Sequence, residues 1–315
     1  MAKIQGECCF DVCLIVTSRG RTEALLRLFA SIVDQDFSGS IEVLFVNQGC
    51  DSVALISSGK FSKIHVEFRE IRSSAISLSA ARNLGLLESR GAAFYGFPDD
   101  DCWYPSDFIH NIVRWFDQRR DVGCLCTNVM DPRNQRVLGR RPVISSRTVS
   151  LLNVFQLPIS VGIFVRLETL AKVGCYFNEN LGVGTLIGSG EETEFVYRMV
   201  KNNVVVEYKG DLYVYHPVVD YMAGDPAKSY TYGYGFGFLN GFIIFGGGFS
   251  CLPYFLKINL LSLCGIGLFC FKPIKRSVYL NRLTGCLRGF VGGVIAVFRA
   301  DHWARRPKIG GEKIF

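Results

Sequence analysis

Over its first 215 residues the chain alternates short apolar runs with amphipathic ones, a pattern that few folds accept. Residues 12–16 read as a buried strand. Residues 21–33 read as a helix with Leu25, Leu28, Phe29 and Ile32 on one face. Further strands are expected at 41–46, 64–68 and 92–97, and a second helix at 76–88. Strands and helices alternating through short links predict an α/β fold with a mostly parallel, Rossmann-like sheet. Open sheets of this kind bind ligands beyond the carboxyl ends of their strands, which directs attention to the residues after Val16, Val46 and Phe97.

The last of these places carries Asp99-Asp100-Asp101. Three consecutive acids leaving a buried strand repel one another and gain nothing from packing. While the chain stays extended, Asp99 and Asp101 point to one side and Asp100 to the other. Two carboxylates at a sheet edge suit a hard divalent cation, Mn²⁺ or Mg²⁺, that also holds phosphate oxygens. The alternative is a solvated turn in which Asp101 or Ser106 caps a helix beginning near Pro105.

A second acid group, Glu191-Glu192-Thr193-Glu194, follows Gly188-Ser189-Gly190 and opens a helix running to about Lys201. Helical spacing puts Glu192 on a stripe with Phe195, Val196 and Met199, and puts Glu191, Glu194, Arg198 and Lys201 on the polar face. Glu192 at the top of an apolar stripe is a candidate general base, and the preceding glycines give it a mobile loop. Acids enriched at a helix start by the dipole are the plainer reading, and that reading suits Glu191. His216 ends a strand-like run, Tyr213-Val214-Tyr215, and is a further candidate ligand for a metal or a pyrophosphate.

Beyond Pro217 the composition changes. A Gly- and aromatic-rich stretch over 230–248 leads into apolar runs at 249–256, 258–271 and 285–298, broken by Pro253, Lys257, Arg288 and a basic block at 272–276. None is expected to supply the roughly 18–20 uninterrupted apolar residues of a spanning helix. Helices lying in a membrane interface fit better, and a glycine-loosened internal helical pair is the alternative. The net charge is +7, and from Lys272 onward ten Lys/Arg stand against Asp301 and Glu312. That local excess favours an anionic membrane surface. The twelve cysteines show no metal or disulfide spacing and read as reduced thiols. Residues 1–10 carry no basic flank followed by an apolar run, so no secretory signal is expected.

Taken in order, the motifs resemble family 2 of the inverting glycosyltransferases with the GT-A fold, over roughly residues 10–217. The resemblance rests on Val16-Thr17-Ser18-Arg19, Val46-Asn47-Gln48-Gly49, Ser79-Ala80-Ala81-Arg82-Asn83-Leu84-Gly85, Asp99-Asp100-Asp101 and Gly190-Glu191-Glu192. The Tyr-Gly-rich stretch and apolar tail further resemble bacterial capsule and lipopolysaccharide members. The resemblance implies that Thr17 and Arg19 line a nucleotide pocket, Asn47 meets the base, and Arg82 and Asn83 lie near the ribose and diphosphate. Asp99 and Asp101 match the acids of the D-x-D motif, the second of which usually holds the metal, with Asp100 between them on the donor side. Glu191 and Glu192 match the Glu-Asp pair whose second acid is the usual base for the acceptor hydroxyl.

Two departures stand out. Asn47 replaces a frequent Asp, which leaves a uracil preference open, and Glu192 is one methylene longer than the family's Asp. The organisation expected is a tail over 1–9, a catalytic domain over 10–223 and a hydrophobic, basic region over 224–315. The partners expected are a nucleotide-diphosphate-sugar donor, a saccharide or lipid-linked saccharide acceptor and an anionic membrane surface, with no nucleic acid. The place expected is the cytoplasmic face of the cell membrane, peripheral or monotopic. Two rivals remain: a sugar-phosphate nucleotidyltransferase, and a membrane-docked module that binds nucleotide-sugar without turnover.

Overall fold

A computed structural model describes residues 8–49, 65–74, 76–138, 141–174, 176–217, 224–299, 308–309 and 312–313. Most of the expected N-terminal tail, Ile64 of the third expected strand, and Arg305 and Arg306 of the basic end lie outside the described residues.

The first half follows the periodicity closely. Strand β1 (Phe10–Ser18) leads to helix α1 (Thr22–Val33), then β2 (Ile41–Asn47), β3 (Val66–Arg72), α2 (Leu78–Glu88) and β4 (Ala92–Gly96). Helix α3 (Phe108–Gln118) precedes β5 (Val122–Asp131), with short strands β6 (Arg136–Val137) and β7 (Arg147–Thr148) after it. Then come β8 (Ile163–Arg166), α4 (Leu167–Val173), α5 (Glu191–Lys201) and β9 (Val205–Tyr215). These strands form one sheet in the order β3-β2-β1-β4-β8-β5-β9-β7, with β6 on β5.

The sheet is α/β as expected but mixed rather than mostly parallel. Strands β3, β2, β1 and β4 are mutually parallel, and β5 is parallel to β9. Strand β8 enters between β4 and β5 antiparallel to both, and β6 and β7 also pair antiparallel. Among the described residues between β5 and β8 there is no long crossover helix to carry the chain back to the starting edge, in keeping with β8 running the other way.

Both sheet faces are covered, which explains the unbroken apolar runs. Along β1, Val12, Leu14 and Val16 join a core with Leu25 and Phe29 of α1 and Ile112 and Phe116 of α3. Cys13 and Ile15 point the other way, into a core with Leu86 of α2 and Phe195 and Met199 of α5. The period of two along a strand thus assigns successive residues to opposite layers.

The C-terminal third is helical: α6 (Pro226–Phe245), α7 (Leu252–Leu268) and α8 (Pro273–Phe298). Asp225 caps α6 by accepting from the Lys228 amide, and Pro226 supplies a first-turn residue that needs no amide partner. Glycines spaced by four, Gly233, Gly237 and Gly241, lie against Gly285, Gly289 and Gly293 of α8. A Cβ at Gly237 would sit 1.9 Å from the Cys286 carbonyl oxygen, and one at Gly289 2.0 Å from that of Tyr234. The matched pairs rise together along both helices, so α6 and α8 run parallel at backbone contact, with α7 as the crossover between them. Close approach of this kind is the use of small-xxx-small spacing.

The stretch Phe249–Leu268 is long and apolar enough to cross a bilayer by length and composition, with mean hydropathy 1.5 and 22% of it buried. The runs expected separately at 249–256 and 258–271 join in this one helical stretch, although Lys257 still interrupts the apolar sequence. Pro253 falls at the first turn of α7, where it starts the helix instead of breaking it, and the single Lys257 lowers the mean only slightly. Core helices of soluble proteins can meet the same test, but this one is mostly unburied.

A branched side chain in the α6–α8 seam should be costly. Gly237→Val is expected to destabilise the detergent-solubilised protein by about 1–3 kcal/mol, the usual cost of overpacking. Gly267→Ala, where an added Cβ meets nothing within 4 Å, should be neutral or slightly stabilising. Chemical unfolding of both variants checks this; equal effects would mean that the seam is loose.

Candidate active site

The carboxyl end of β4 is tied to its neighbours by short-range backbone contacts. Thr17 and Asp99 form an isolated parallel bridge, so the acids continue the line of β1 and β4. Past Asp99 the chain does not stay extended: the Cys102 amide donates to the Asp99 carbonyl, closing a turn. The three acids therefore do not simply alternate sides: Asp99 has its own partner, while Asp100 and Asp101 share Arg21. Asp100 is buried, accepts a 2.5 Å hydrogen bond from the Ser18 hydroxyl and lies 3.2 Å from Arg21. Burial raises its pKa in spite of those partners. Asp99 meets Arg82 at 2.8 Å, and Asp101 meets Arg21 at 2.7 Å.

His216 reaches Asp101 because Trp103 and Tyr215 exchange backbone hydrogen bonds of 2.9 Å in both directions. Its Nε2 lies 3.0 Å from Asp101 Oδ1, while Nδ1 lies 2.8 Å from the Pro217 carbonyl oxygen. A carbonyl only accepts, so Nδ1 carries a proton and donates it. A neutral imidazole then turns the Nε2 lone pair towards a carboxylate, and two acceptors this close need a proton or a cation between them. Without a metal it is a proton: burial pulls the His216 pKa down, but Asp101 outweighs it and the net shift is upward. Burial would raise Asp101, yet His216 and Arg21 hold it below the ordinary carboxylate range.

The same pair fits a divalent cation. Adjacent ligands of an octahedral ion with bonds of about 2.1 Å are about 3 Å apart, which is the separation seen. Among the described residues no group of three or more His, Cys, Asp and Glu side chains is arranged to hold a metal. A two-ligand site is what magnesium-like ions use when substrate phosphates and water complete the shell.

Across from the acids stands α5. Gly190 at its N-cap has φ of 96°, a left-handed conformation that glycine adopts freely, and this turns Glu191 into the protein. The expected helix phasing is corrected here: Glu191 is 5% exposed and Glu194 7% exposed, while Glu192 is only half-buried. The first turn of the expected polar face is covered, because Gly182 packs against Glu191 and Arg198 neutralises Glu194 at 2.7 Å. Glu191 lies 3.5 Å from Arg82, whose guanidinium is 1% exposed and so bridges Glu191 to Asp99. Burial and then Glu192 push the Glu191 pKa up to about 8, against the pull of Arg82.

The remaining predicted residues divide. Thr17 is buried at the end of β1, whereas Arg19 is exposed. Asn47 donates to Glu70 at 2.7 Å and accepts from the Gly49 amide. Asn83 is buried and its amide is committed, donating to the Phe177 carbonyl and Glu179 and accepting from the Phe177 amide. That arrangement holds the loop before α5 rather than facing open space. Arg21, expected only as the start of the first helix, is the partner of two acids 79 and 80 residues away, a pairing that no spacing in the sequence marks.

Comparison with known proteins bears on the fold that carries these residues. The profile of glycosyl transferase family 2 matches residues 13–167. The chain is similar in fold to S. aureus TarS 1-349 solved in complex with UDP, at 18% identity and TM-score 0.54, covering 96% of this chain and 95% of that one. It spans 55% of a longer TarS structure. It is also similar to the mannosyltransferase PcManGT from Pyrobaculum calidifontis in complex with GDP-Man and Mn²⁺, at 14% identity and TM-score 0.59, covering 96% and 92%. No curated protein sequence matches. At these identities the structural likeness establishes the GT-A type of fold.

The Glu191 environment sets a pH dependence. A carboxyl whose folded pKa is raised stabilises the fold fully below its unfolded value of about 4.3, and that contribution is lost as pH rises towards about 8. Stability should therefore decline across pH 5–8, and Glu191→Gln should flatten the decline. Denaturant midpoints at several pH values measure it; an unchanged slope in the variant would mean that Glu191 stays ionised beside Arg82.

Proposed function

Because the profile of glycosyl transferase family 2 matches residues 13–167, we propose that the chain moves a sugar from a nucleotide-diphosphate-sugar to an acceptor hydroxyl with inversion at the anomeric carbon. The observation that carries this reading is Arg82, which joins the acid turn after β4 to the paired glutamates of α5. That link supports a reading in which leaving-group machinery and a general base act on one bound donor and acceptor.

A Mn²⁺ or Mg²⁺ ion held by Asp101 and His216 would supply Lewis-acid stabilisation of the departing nucleoside diphosphate. The protein's own residues do the rest. Arg82 and Arg21 fix the three carboxylates, so that the acid turn needs little rearrangement as charge develops. Thr17, Arg19 and Asn47 sit at the ends of β1 and β2, where the nucleoside would lie. Glu192, half-buried beside the buried Glu191, takes the proton of the acceptor hydroxyl as that oxygen attacks the anomeric carbon from the face opposite the diphosphate. One base and one displacement need no covalent intermediate. The bound donors of the structural neighbours, UDP-GlcNAc for TarS and GDP-Man for PcManGT, define the first donors to try.

The helices α6–α8 support a place at a membrane surface. Leu252, Leu256, Leu260 and Leu263 form an exposed stripe on α7, and Leu287, Val291, Ile295 and Phe298 another on α8. At the turn between the two helices Phe271, 95% exposed, stands next to Lys272, Lys275 and Arg276. Apolar stripes of this extent flanked by cations suit an anionic bilayer interface, and the acceptor is then a saccharide carried in or near that surface.

Two tests follow from the reading. Asp101→Ala should abolish Mn²⁺-dependent donor binding in calorimetry while leaving the circular dichroism unchanged; unaltered affinity would remove Asp101 from the metal. Glu192→Gln should lower kcat by roughly 10²–10⁴ with donor affinity within a few-fold, and Glu191→Gln should act mainly on stability. Equal kinetic losses from both would transfer the base role to the pair.

A further inference from the structure

Helix α1 carries a polar ridge that grips the chain just beyond the acid turn. Arg27 and Ser31 on the helix, and Gln35 just past its end, are spaced by four and all reach the same segment. Gln35 donates to the Pro105 carbonyl at 2.7 Å and accepts from the Ile109 amide at 2.9 Å. The Ser31 hydroxyl accepts from the Tyr104 amide at 3.1 Å. Arg27 ends the series, its Nη2 donating to the Asp101 carbonyl at 3.0 Å. Each of these bonds goes to backbone, so the ridge fixes the path of the chain over 101–109 rather than any one side chain.

Arg27 differs from its companions in reaching both halves of the candidate cation site. Its guanidinium carbon also lies 3.9 Å from the centroid of the Trp103 ring, a cation–π contact. Trp103 in turn exchanges two backbone hydrogen bonds with Tyr215, the residue before His216, and the two rings lie 5.9 Å apart. One side chain therefore holds Asp101 by its carbonyl and, through Trp103, the strand end that delivers His216. Arg21 acts differently, taking a carboxylate oxygen of Asp101 itself. Because Arg27 directs its charge to an indole face and a carbonyl, it steadies the turn without occupying an oxygen that a metal ion would need. Functional constellations must hold to within about 0.5 Å of their productive geometry, and the outer partners of metal ligands supply that restraint.

We propose that Arg27 is a positioning residue for the Asp101–His216 pair, setting the separation at which the two take a divalent cation. This rests on the metal-assisted reading of the site and goes beyond it, since it assigns a role to the middle of α1, where no motif of the sequence lies. Ser31 and Gln35 also anchor the segment, and the test must separate that general anchoring from the local effect of Arg27.

The probe is Mn²⁺ alone, titrated into the full-length protein in detergent and read from the electron paramagnetic resonance signal of the free ion. Arg27→Ala should weaken Mn²⁺ binding by about 10-fold or more, the usual effect of removing an outer partner. Arg27→Lys, which keeps a cation for the indole and a donor for the carbonyl, should recover most of that loss. Trp103→Leu removes the other half of the clamp and should weaken binding to a similar degree, which keeps the test decisive if Arg27→Ala misfolds. Ser31→Ala frees the Tyr104 amide farther along the segment; it should lower stability yet leave Mn²⁺ affinity close to that of the unaltered protein. Unchanged affinity in Arg27→Ala and Trp103→Leu, no recovery in Arg27→Lys, or an equal loss in Ser31→Ala overturns the proposal and leaves the cation site standing. If the unaltered protein takes up no Mn²⁺, or Asp101→Ala takes it up equally well, the cation site itself falls and the proposal with it.

Discussion

A buried guanidinium between two carboxylates organises this molecule. Arg82 comes from the middle of α2, Asp99 from the end of β4 and Glu191 from the start of α5, three elements that would otherwise meet only through apolar packing. Removing one partner of such a buried network typically costs about 3–5 kcal/mol, because the charge left behind has lost its compensation. Here the same removal would also release the acid turn from the glutamate helix. Stability and site geometry thus depend on one side chain, whose ring contact with Phe177, at 5.2 Å, fixes it from a fourth direction.

From that point the two halves of the site acquire different characters. The turn after β4 is rich in opposite charges held at short range, with Arg21, Arg82 and His216 each assigned to particular carboxylate oxygens. The α5 side is drier: Glu191 is buried against glycine-rich loop and helix, and Glu192 stands half-open next to it. A base is useful where solvent is thin, and a cluster of phosphate-binding charges is useful where the sheet opens. The glycine seam of α6 and α8 connects to this arrangement directly, since a Cβ at Gly190 would lie 2.7 Å from Leu239 of α6. Helix α6 therefore supports the loop before α5, while α7 and α8 present their outer leucines.

Much of this was legible from residue order. The edges of β1, α1, β2 and β4 are sharp changes between apolar and polar residues, and the pattern places them within about two residues, the usual uncertainty of such boundaries. Strand β3 was harder, because Glu67, Arg69 and Glu70 interrupt its apolar run while pairing with Arg90, Glu42 and Asn47 across the fold. The antiparallel entry of β8 was not legible at all; four residues carry no direction until their neighbours are known. The phase of α5 failed for a related reason: spacing shows which residues share a face, not which faces tertiary structure covers. Glu191 is inside because Arg82 is there to meet it, and Arg82 is 109 positions away. The glycines of the tail were visible as composition, whereas their spacing by four acquires meaning only beside a second helix with the same spacing.

The central claim is that the acid turn and His216 form a cation site facing the glutamates of α5. Anomalous scattering at the manganese edge, from crystals grown with Mn²⁺ and a nucleoside diphosphate, tests it most directly. The account predicts one strong peak bonded to Asp101 and His216, on the side of Arg82 away from Glu191. A peak bonded to Glu191 or Glu192, or none within reach of Asp101, would contradict it.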